Sequence, residues 1–441
     1  MEVTDIMKNF EQQASSGVTL RYRELLKKYI TENCKLMKRE PAGILKHPYT
    51  VPCAPGGLYY FAALWDWDSW LISIALAQVE IDCGNGGENS EFIEYEKGCI
   101  LNFLEHTPEN GAMPINITPD GMMHRYKDRE YSPFDTNIHK PVIMQHAAAL
   151  IKREGSTAWI APYLGKIEVF INNYLTHYMN EKTGLAVWRD DFAVGVDNDP
   201  SIFYRPTDSC GHIYLNCLLY KELLAYAYVL EISGDEKASV RWKKRAAQLA
   251  DAINEHCWDE RDGTYYSVDH NLQKIDTVDW LHGGAPRNWD CVIMRIDSWC
   301  SFMPLWAGLA DAEKARRMAA RATDDRTFAA RYGIRTLSRL EKMYSLSASN
   351  NPSNWLGSIW GISNYMVFKG LEKYGFTEEA KTLAEKTVQL FGRDIERNGC
   401  LHEFYHPDSG EPIMTPGFQN WNFLVLNMIA WLEGRKSAEE F

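Results

Sequence analysis

Apolar and polar positions along this chain alternate with a helical period in many separate stretches, and with a strand period in almost none. Leu20, Tyr22, Leu25, Leu26, Tyr29 and Ile30 mark a first helix within residues 17–40. A Pro/Gly segment from Pro41 to Gly57 closes it. A very apolar helix then runs from Trp65 through Val79, and others are expected at 91–106, from His139 through Ile151, and at 157–179, 214–233 and 236–257. Gly234 marks a tight turn between the last two. Residues 258–298 read as irregular, with short strands expected at Thr264–Tyr266 and Lys274–Val278. Helical periodicity resumes at 301–310, 312–322, 358–374, 377–395 and 419–433. The sum is about twelve helices, several paired by short turns. No Gly/Ser-rich linker divides them, so residues 1–441 read as one all-α domain. The longest helix-poor stretch, residues 107–139, is studded with Pro and Gly. A connection of that length inside a compact domain suits a lid or a site wall.

Composition narrows the function. Net charge is −12, and the longest basic run, Lys243-Lys244-Arg245, sits on a helical face, which argues against a nucleic-acid surface. No run of about 18 apolar residues exists to span a membrane. Met1-Glu2-Val3-Thr4-Asp5 lacks a basic leader, and the ten cysteines form no Cys-x-x-Cys pair. Neither Cys210/Cys217 nor Cys291/Cys300 has zinc-finger spacing. A cytoplasmic protein with reduced thiols is expected, and homo-oligomerisation stays open. The aromatic load is heavy, at 15 Trp, 23 Tyr and 17 Phe. Such rings pair a flat apolar face with a polar edge, which suits stacking on sugars as well as core packing.

Candidate chemistry gathers in a few stretches. Ala193-Val194-Gly195-Val196-Asp197-Asn198-Asp199-Pro200 reads as a fixed loop presenting Asp197, with Gly195 freeing the backbone and Pro200 excluding helix. Asp190 and Asp191 precede it among aromatics, and crowded carboxylates raise one another's pKa. An Asx-rich surface turn explains the loop equally well if it is taken alone. Trp65-Asp66-Trp67-Asp68-Ser69-Trp70 opens a helix. Dipole complementarity accounts for its acids but not for the interleaved Trp. Near the C-terminus stand Trp355 and Trp360, then Glu403 in His402-Glu403-Phe404-Tyr405-His406-Pro407-Asp408-Ser409-Gly410, then Trp421 at the entrance of the last helix.

The order of these blocks resembles the glycoside hydrolases of the processing α-glucosidase and mannosylglycerate/glucosylglycerate hydrolase group, a clan shared with trehalases. The resemblance rests on Trp67-Asp68-Ser69, on Lys140-Pro141, on Gly195-x-Asp197-Asn198-x-Pro200, on Trp355 to Trp360 with Asn364-Tyr365, and on Glu403-x-Tyr405-x-Pro407-x-x-Gly410. It implies an (α/α)6 barrel whose long loops form the active-site mouth. It also implies an inverting hydrolase acting on a small α-glycoside, with an α-glucoside foremost and glucosylglycerate or mannosylglycerate as further options. On that resemblance Asp197 is the general acid and Glu403 the general base that activates water. Trp65, Trp67, Trp355, Trp360 and Trp421 wall the sugar pocket, Gly195 backs it, Asp68 accepts from sugar hydroxyls and Lys140 donates. No cofactor and no metal are expected. Val142, Asn354, Leu356 and Ser358 depart from the group's usual residues, which leaves the natural substrate open. Arg205 fits either an anionic aglycone or a structural pairing with Asp208 or another acid.

Three other readings compete. A sugar epimerase or isomerase would need a base beside a carbonyl, and His139, His212, His402 and His406 are available. A non-catalytic sugar-binding protein would keep the Trp wall without needing both Asp197 and Glu403. His402-Glu403-x-x-His406 also spells a zinc-protease motif, which requires a helix. Asn398-Gly399 and Pro407 bracket the stretch too closely for one.

Overall fold

The computed structural model describes residues 3–55, 60, 62–84, 90–122, 134–272, 289–347, 353–438 and 440–441, with residues 3–16 described as backbone only. Within these it has twelve α-helices: α1 (Val3–Asn33), α2 (Asp66–Cys83), α3 (Ile93–His106), α4 (Ile143–Glu154), α5 (Leu164–His177), α6 (Ile213–Ile232), α7 (Glu236–His256), α8 (Met303–Ala307), α9 (Ala312–Ala322), α10 (Gly361–Lys373), α11 (Thr377–Asn398) and α12 (Val425–Leu432). The even-numbered helices touch in a closed cycle, α2 to α4 to α6 to α8 to α10 to α12 and back to α2. Odd-numbered helices lie outside: α1 packs on α11 and α12, α3 on α4, α7 on α6 and α11 on α10.

Sequence patterning explains this division. A helix buried all round must be apolar all round, whereas an outer helix needs one stripe. Every residue of α2 from Asp66 to Glu80 is buried, and α6 is buried along most of its length. In α7 and α11, by contrast, charged residues alternate with a single apolar face. Side-chain caps fix two outer helices: Asp235 accepts from the Ala238 N–H and Asp311 from the Lys314 N–H, each at 2.9 Å.

Helix boundaries depart from the periodicity where pairing or proline intervenes. The first helix stops at Asn33, not at residue 40. Cys34–Met37 tighten into a 3-10 turn, and Lys38–Arg39 are drawn into a ladder with Tyr49–Thr50. The helix expected from 157 begins only at Leu164, after a 3-10 turn containing Pro162. Helix α10 starts at Gly361 because Ile359–Trp360 pair with Phe404–Tyr405. Helices α8 and α12 are each preceded by a 3-10 turn, Trp299–Phe302 and Asn420–Leu424. Thr264–Tyr265 form the expected strand, paired with Trp258–Asp259. The other expected strand, Lys274–Val278, lies outside the described residues. So does the middle of the proposed lid, residues 123–133. The lid's described ends are anchored: Asn116–Thr118 pair with Leu64–Trp65, and the Asn137 side chain bonds the Asp190 and Phe192 carbonyls.

Because the inner helices run in sequence around one ring, their entry loops meet at one mouth. Trp65 enters α2, Lys140 lies just before α4, Trp360 enters α10 and Trp421 lies just before α12.

Candidate active site

A cavity of about 440 Å³ opens at that mouth. Trp65, Trp67, Asp68, Lys140, Gly195, Asp197, Trp355, Trp360, Glu403 and Trp421 all line it. Ten of the eleven residues singled out from the sequence therefore converge, and Arg205 is the exception. Its guanidinium pairs with Asp269, while Asp208 takes Arg189 instead at 2.6 Å. Asp269 reaches Arg205 because Val268–Asp269 form the middle strand of a small sheet beside Cys210–Gly211, a pairing the sequence did not reveal.

The acid loop is held by its neighbours on both sides. Gly195 has φ +94°, and a Cβ there would lie 2.8 Å from the Trp67 ring, so the loop's close approach requires glycine. The buried Asn198 accepts from the Trp355 N–H at 2.7 Å and donates to Asn354 at 3.4 Å. Asn354, one of the departures noted in sequence, thus braces the loop that carries Asp197.

Glu403 lies on the loop joining α11 to α12. Only 4% of it is exposed. Thr415 Oγ1 donates to its Oε2 at 2.6 Å and the Tyr60 hydroxyl to its Oε1 at 3.3 Å. Burial lifts its pKa to about 7; the two donors oppose that rise and the Asp197 charge adds to it. The two carboxylates are therefore electrostatically coupled across one cavity.

The sugar-facing walls rest on ion pairs and stacked rings. Lys140 Nζ sits 3.2 Å from both Asp66 carboxylate oxygens, and Asp66 also accepts from the Trp67 and Lys140 N–H groups. Lys140 reaches the cavity as one half of a buried ion pair, not as a solitary donor. Asp68 accepts from the Asn420 amide, and burial, with Asp66 nearby, holds its pKa well above the usual carboxylate range. Trp355 stacks on Trp360 at 3.9 Å and Trp360 on Phe404 at 4.7 Å, with Trp299 behind Trp355. The indole N–H groups of Trp65 and Trp421 are buried with no protein partner. Sequence reading missed Tyr60, Thr415, Asn420, Phe203 and Tyr204. Tyr59-Tyr60-Phe61 was an aromatic signal, but nothing local tied it to Glu403.

The isomerase and zinc-protease readings lose their residues. None of His139, His212, His402 and His406 lines the cavity. His139 packs edge-on against Phe103, with its pKa lowered to about 4 by burial. His402 bonds Asp394 at 2.9 Å, and His406 accepts from the Asp408 and Ser409 N–H groups. Phe404–Tyr405 is a strand, so His402-Glu403-x-x-His406 does not present one helical face.

A ring of six inner helices, with two coupled acids and a tryptophan wall at its mouth, defines a carbohydrate-cleaving enzyme. Residues 59–421 match the mannosylglycerate hydrolase MGH1-like glycoside hydrolase domain, and the chain belongs to that family. It is 23% identical to mannosylglycerate hydrolase MGH1 of Selaginella moellendorffii, over 87% of this chain and 82% of that one. It is 27% identical to the cytosolic neutral trehalase of Kluyveromyces lactis, over 47% of this chain and 26% of that one. Among solved structures, the GH63 mannosylglycerate hydrolase of Thermus thermophilus in complex with glucose superposes with a TM-score of 0.64. The match has 18% identity and covers 90% of this chain and 98% of that one. Neutral trehalase Nth1 of Saccharomyces cerevisiae gives 0.60 at 17% identity, covering 91% and 80%. The fold is the (α/α)6 barrel, and the protein is a glycoside hydrolase. Among the described residues no helix is long and apolar enough to cross a membrane.

Proposed function

We propose that this enzyme hydrolyses a small α-glycoside with inversion, Asp197 protonating the departing oxygen and Glu403 drawing a proton from the attacking water. The observation that carries this reading is the pairing of the two coupled carboxylates in one Trp-walled cavity. Cleavage needs both groups. One neutralises charge on the leaving oxygen, while the other raises the nucleophilicity of water on the opposite face of the sugar. The two acids come from separate loops, α5–α6 and α11–α12, which suits groups that must stand far enough apart for a water to fit between base and sugar.

The cavity volume suits a sugar ring with a small aglycone. Tryptophan faces pack on the apolar side of a pyranose, as Trp65, Trp67, Trp355, Trp360 and Trp421 around the cavity allow. Asp68, oriented by the Asn420 amide, bonds a sugar hydroxyl. Mannosylglycerate, named for the plant and Thermus relatives, is the first substrate to try, with α-glucosides next. Ten free cysteines fit a reducing, cytoplasmic setting. The test is incubation of purified protein with a panel of α-mannosides and α-glucosides, with and without a glycerate aglycone. Sugar release that disappears in both Asp197→Asn and Glu403→Gln supports the reading. Near-normal release from unactivated glycosides in either variant overturns it.

A further inference from the structure

Behind the acid loop, away from the cavity, three side chains with metal-binding atoms meet in the core. Asp199 follows Asp197 by two residues. His212 immediately precedes α6, and Cys300 lies in the 3-10 turn that leads into α8. One ligand atom from each lies within 4.8 Å of the other two. All three are buried, and none lines the catalytic cavity. They are distant in sequence, so no motif announces them.

His212 makes the cluster more than a polar patch. It is fully buried, and neither ring nitrogen has a hydrogen-bond partner. Leaving a buried polar atom unsatisfied costs roughly 1–3 kcal/mol, so an imidazole in this state is an anomaly within a well-packed barrel. Its Asp199 neighbour is well oriented: Oδ1 accepts from the Ser201 N–H at 2.9 Å and hydroxyl at 2.6 Å, and Oδ2 accepts from the Ser298 hydroxyl. Such outer partners are what aim and hold a ligating carboxylate.

We propose that Asp199, His212 and Cys300 bind one zinc-type divalent cation. A sulfur, an imidazole nitrogen and a carboxylate oxygen form a donor set that zinc and cobalt accept and that magnesium and calcium do not favour. Zinc bonds to these donors run from about 2.0 to 2.3 Å, so bound ligand atoms stand roughly 3.3–3.8 Å apart. With all ligand atoms within 4.8 Å of one another, the cluster reaches that spacing by contracting by at most about 1–1.5 Å. Asp199 Oδ2, which accepts from Ser298, has a lone pair free to ligate, and a water completes the fourth position. Binding converts the Cys300 thiol to a thiolate, and its proton leaves to solvent. An ion held here adds the start of α6 to the loop after Asp197 and the turn before α8, which the Ser298–Asp199 hydrogen bond already joins.

The test is titration of the chelator-treated full-length protein with Co²⁺ and then Zn²⁺. The proposal expects one ion per chain, a thiolate-to-cobalt charge-transfer band that zinc abolishes, release of about one proton per ion and a rise in Tm. Cys300→Ser, a nearly isosteric change, should remove the band, and His212→Ala should weaken binding by at least about 10–100-fold, the scale lost with even an outer-shell partner. X-ray absorption of the wild-type zinc form provides a reading that needs no variant, with one sulfur expected in the first shell. Absence of stoichiometric binding would mean that a buried water satisfies His212, and would overturn the proposal. A band that persists in Cys300→Ser, or a zinc shell of oxygen and nitrogen alone, would also overturn it.

Discussion

Thr415 donates to Glu403 at 2.6 Å from a backbone position with φ +39°, directly after Met414 at φ +60°. A β-branched residue in the left-handed region is strained, typically by about 1–3 kcal/mol, and such strain is retained where the surrounding structure enforces it. Here it aims one hydroxyl at one carboxylate. Hydrogen bonds to a charged group are worth about 1.5–3 kcal/mol, or roughly 1–2 pKa units.

A pH prediction follows from this pair. Glu403 titrates at about 7, and the proposed base must be ionised, so kcat/KM should fall as pH drops through about 7. If Glu403 were instead the acid, activity would be lost as pH rises through the same value. Thr415→Val removes a bond that favours the ionised form, so it should move the acidic limb upward by about 1–2 units. Activity on the alkaline plateau should stay nearly unchanged, and Thr415→Ser should restore the profile. A Val variant with an unmoved limb would separate Thr415 from the base.

Leaving-group dependence distinguishes the two carboxylates. Asp197→Asn should lower kcat by ~10²–10⁴-fold on natural glycosides and much less on activated aryl glycosides, which need little protonation. Glu403→Gln should be impaired on both, because water still needs its base. Kinetics on two substrates of different leaving-group pKa check this, and a Glu403→Gln defect rescued by a good leaving group would exchange the roles.

The Asp66–Lys140 pair should behave as a buried ion pair that cannot lose one member cheaply. Lys140→Met leaves Asp66 charged and buried, and should destabilise the fold by about 3–5 kcal/mol. Replacing both, as Asp66→Leu with Lys140→Met, should recover part of that loss. Denaturant unfolding of the two variants beside wild type measures it. Equal stability of Lys140→Met and wild type would contradict the packing described.

Gly195→Ala places a methyl 2.8 Å from Trp67 at φ +94°, so it should cost about 1–3 kcal/mol and displace either the acid loop or the sugar wall. A fall in kcat/KM exceeding tenfold is the expected result, read by steady-state kinetics beside a thermal melt.

What could be read from the sequence was whatever is written locally. Trp67-Asp68, Gly195 to Pro200, Trp355 with Trp360, and Glu403 each carry an unusual residue cluster, and their order points to the barrel. The helical period marks inner helices by apolar residues on every face and outer helices by a single stripe. What could not be read depends on loops meeting across the mouth. Tyr60 and Glu403 are 343 residues apart, and nothing near either one predicts their contact. Arg205 illustrates the same limit: Asp208 is its near neighbour in sequence, yet Arg189 takes Asp208, and a strand pairing brings Asp269 to Arg205. Thr415 was invisible because its role arises from two left-handed backbone angles, which no residue there announces.

Stereochemistry tests the central claim most directly. Proton NMR of the anomeric signals during the first minutes of hydrolysis reports which sugar is released before mutarotation. Single displacement by a water that Glu403 activates predicts that an α-glycoside first yields the β-sugar. Initial appearance of the α-anomer would instead indicate a covalent glycosyl-enzyme, and would contradict both the inverting mechanism and the role given to Glu403.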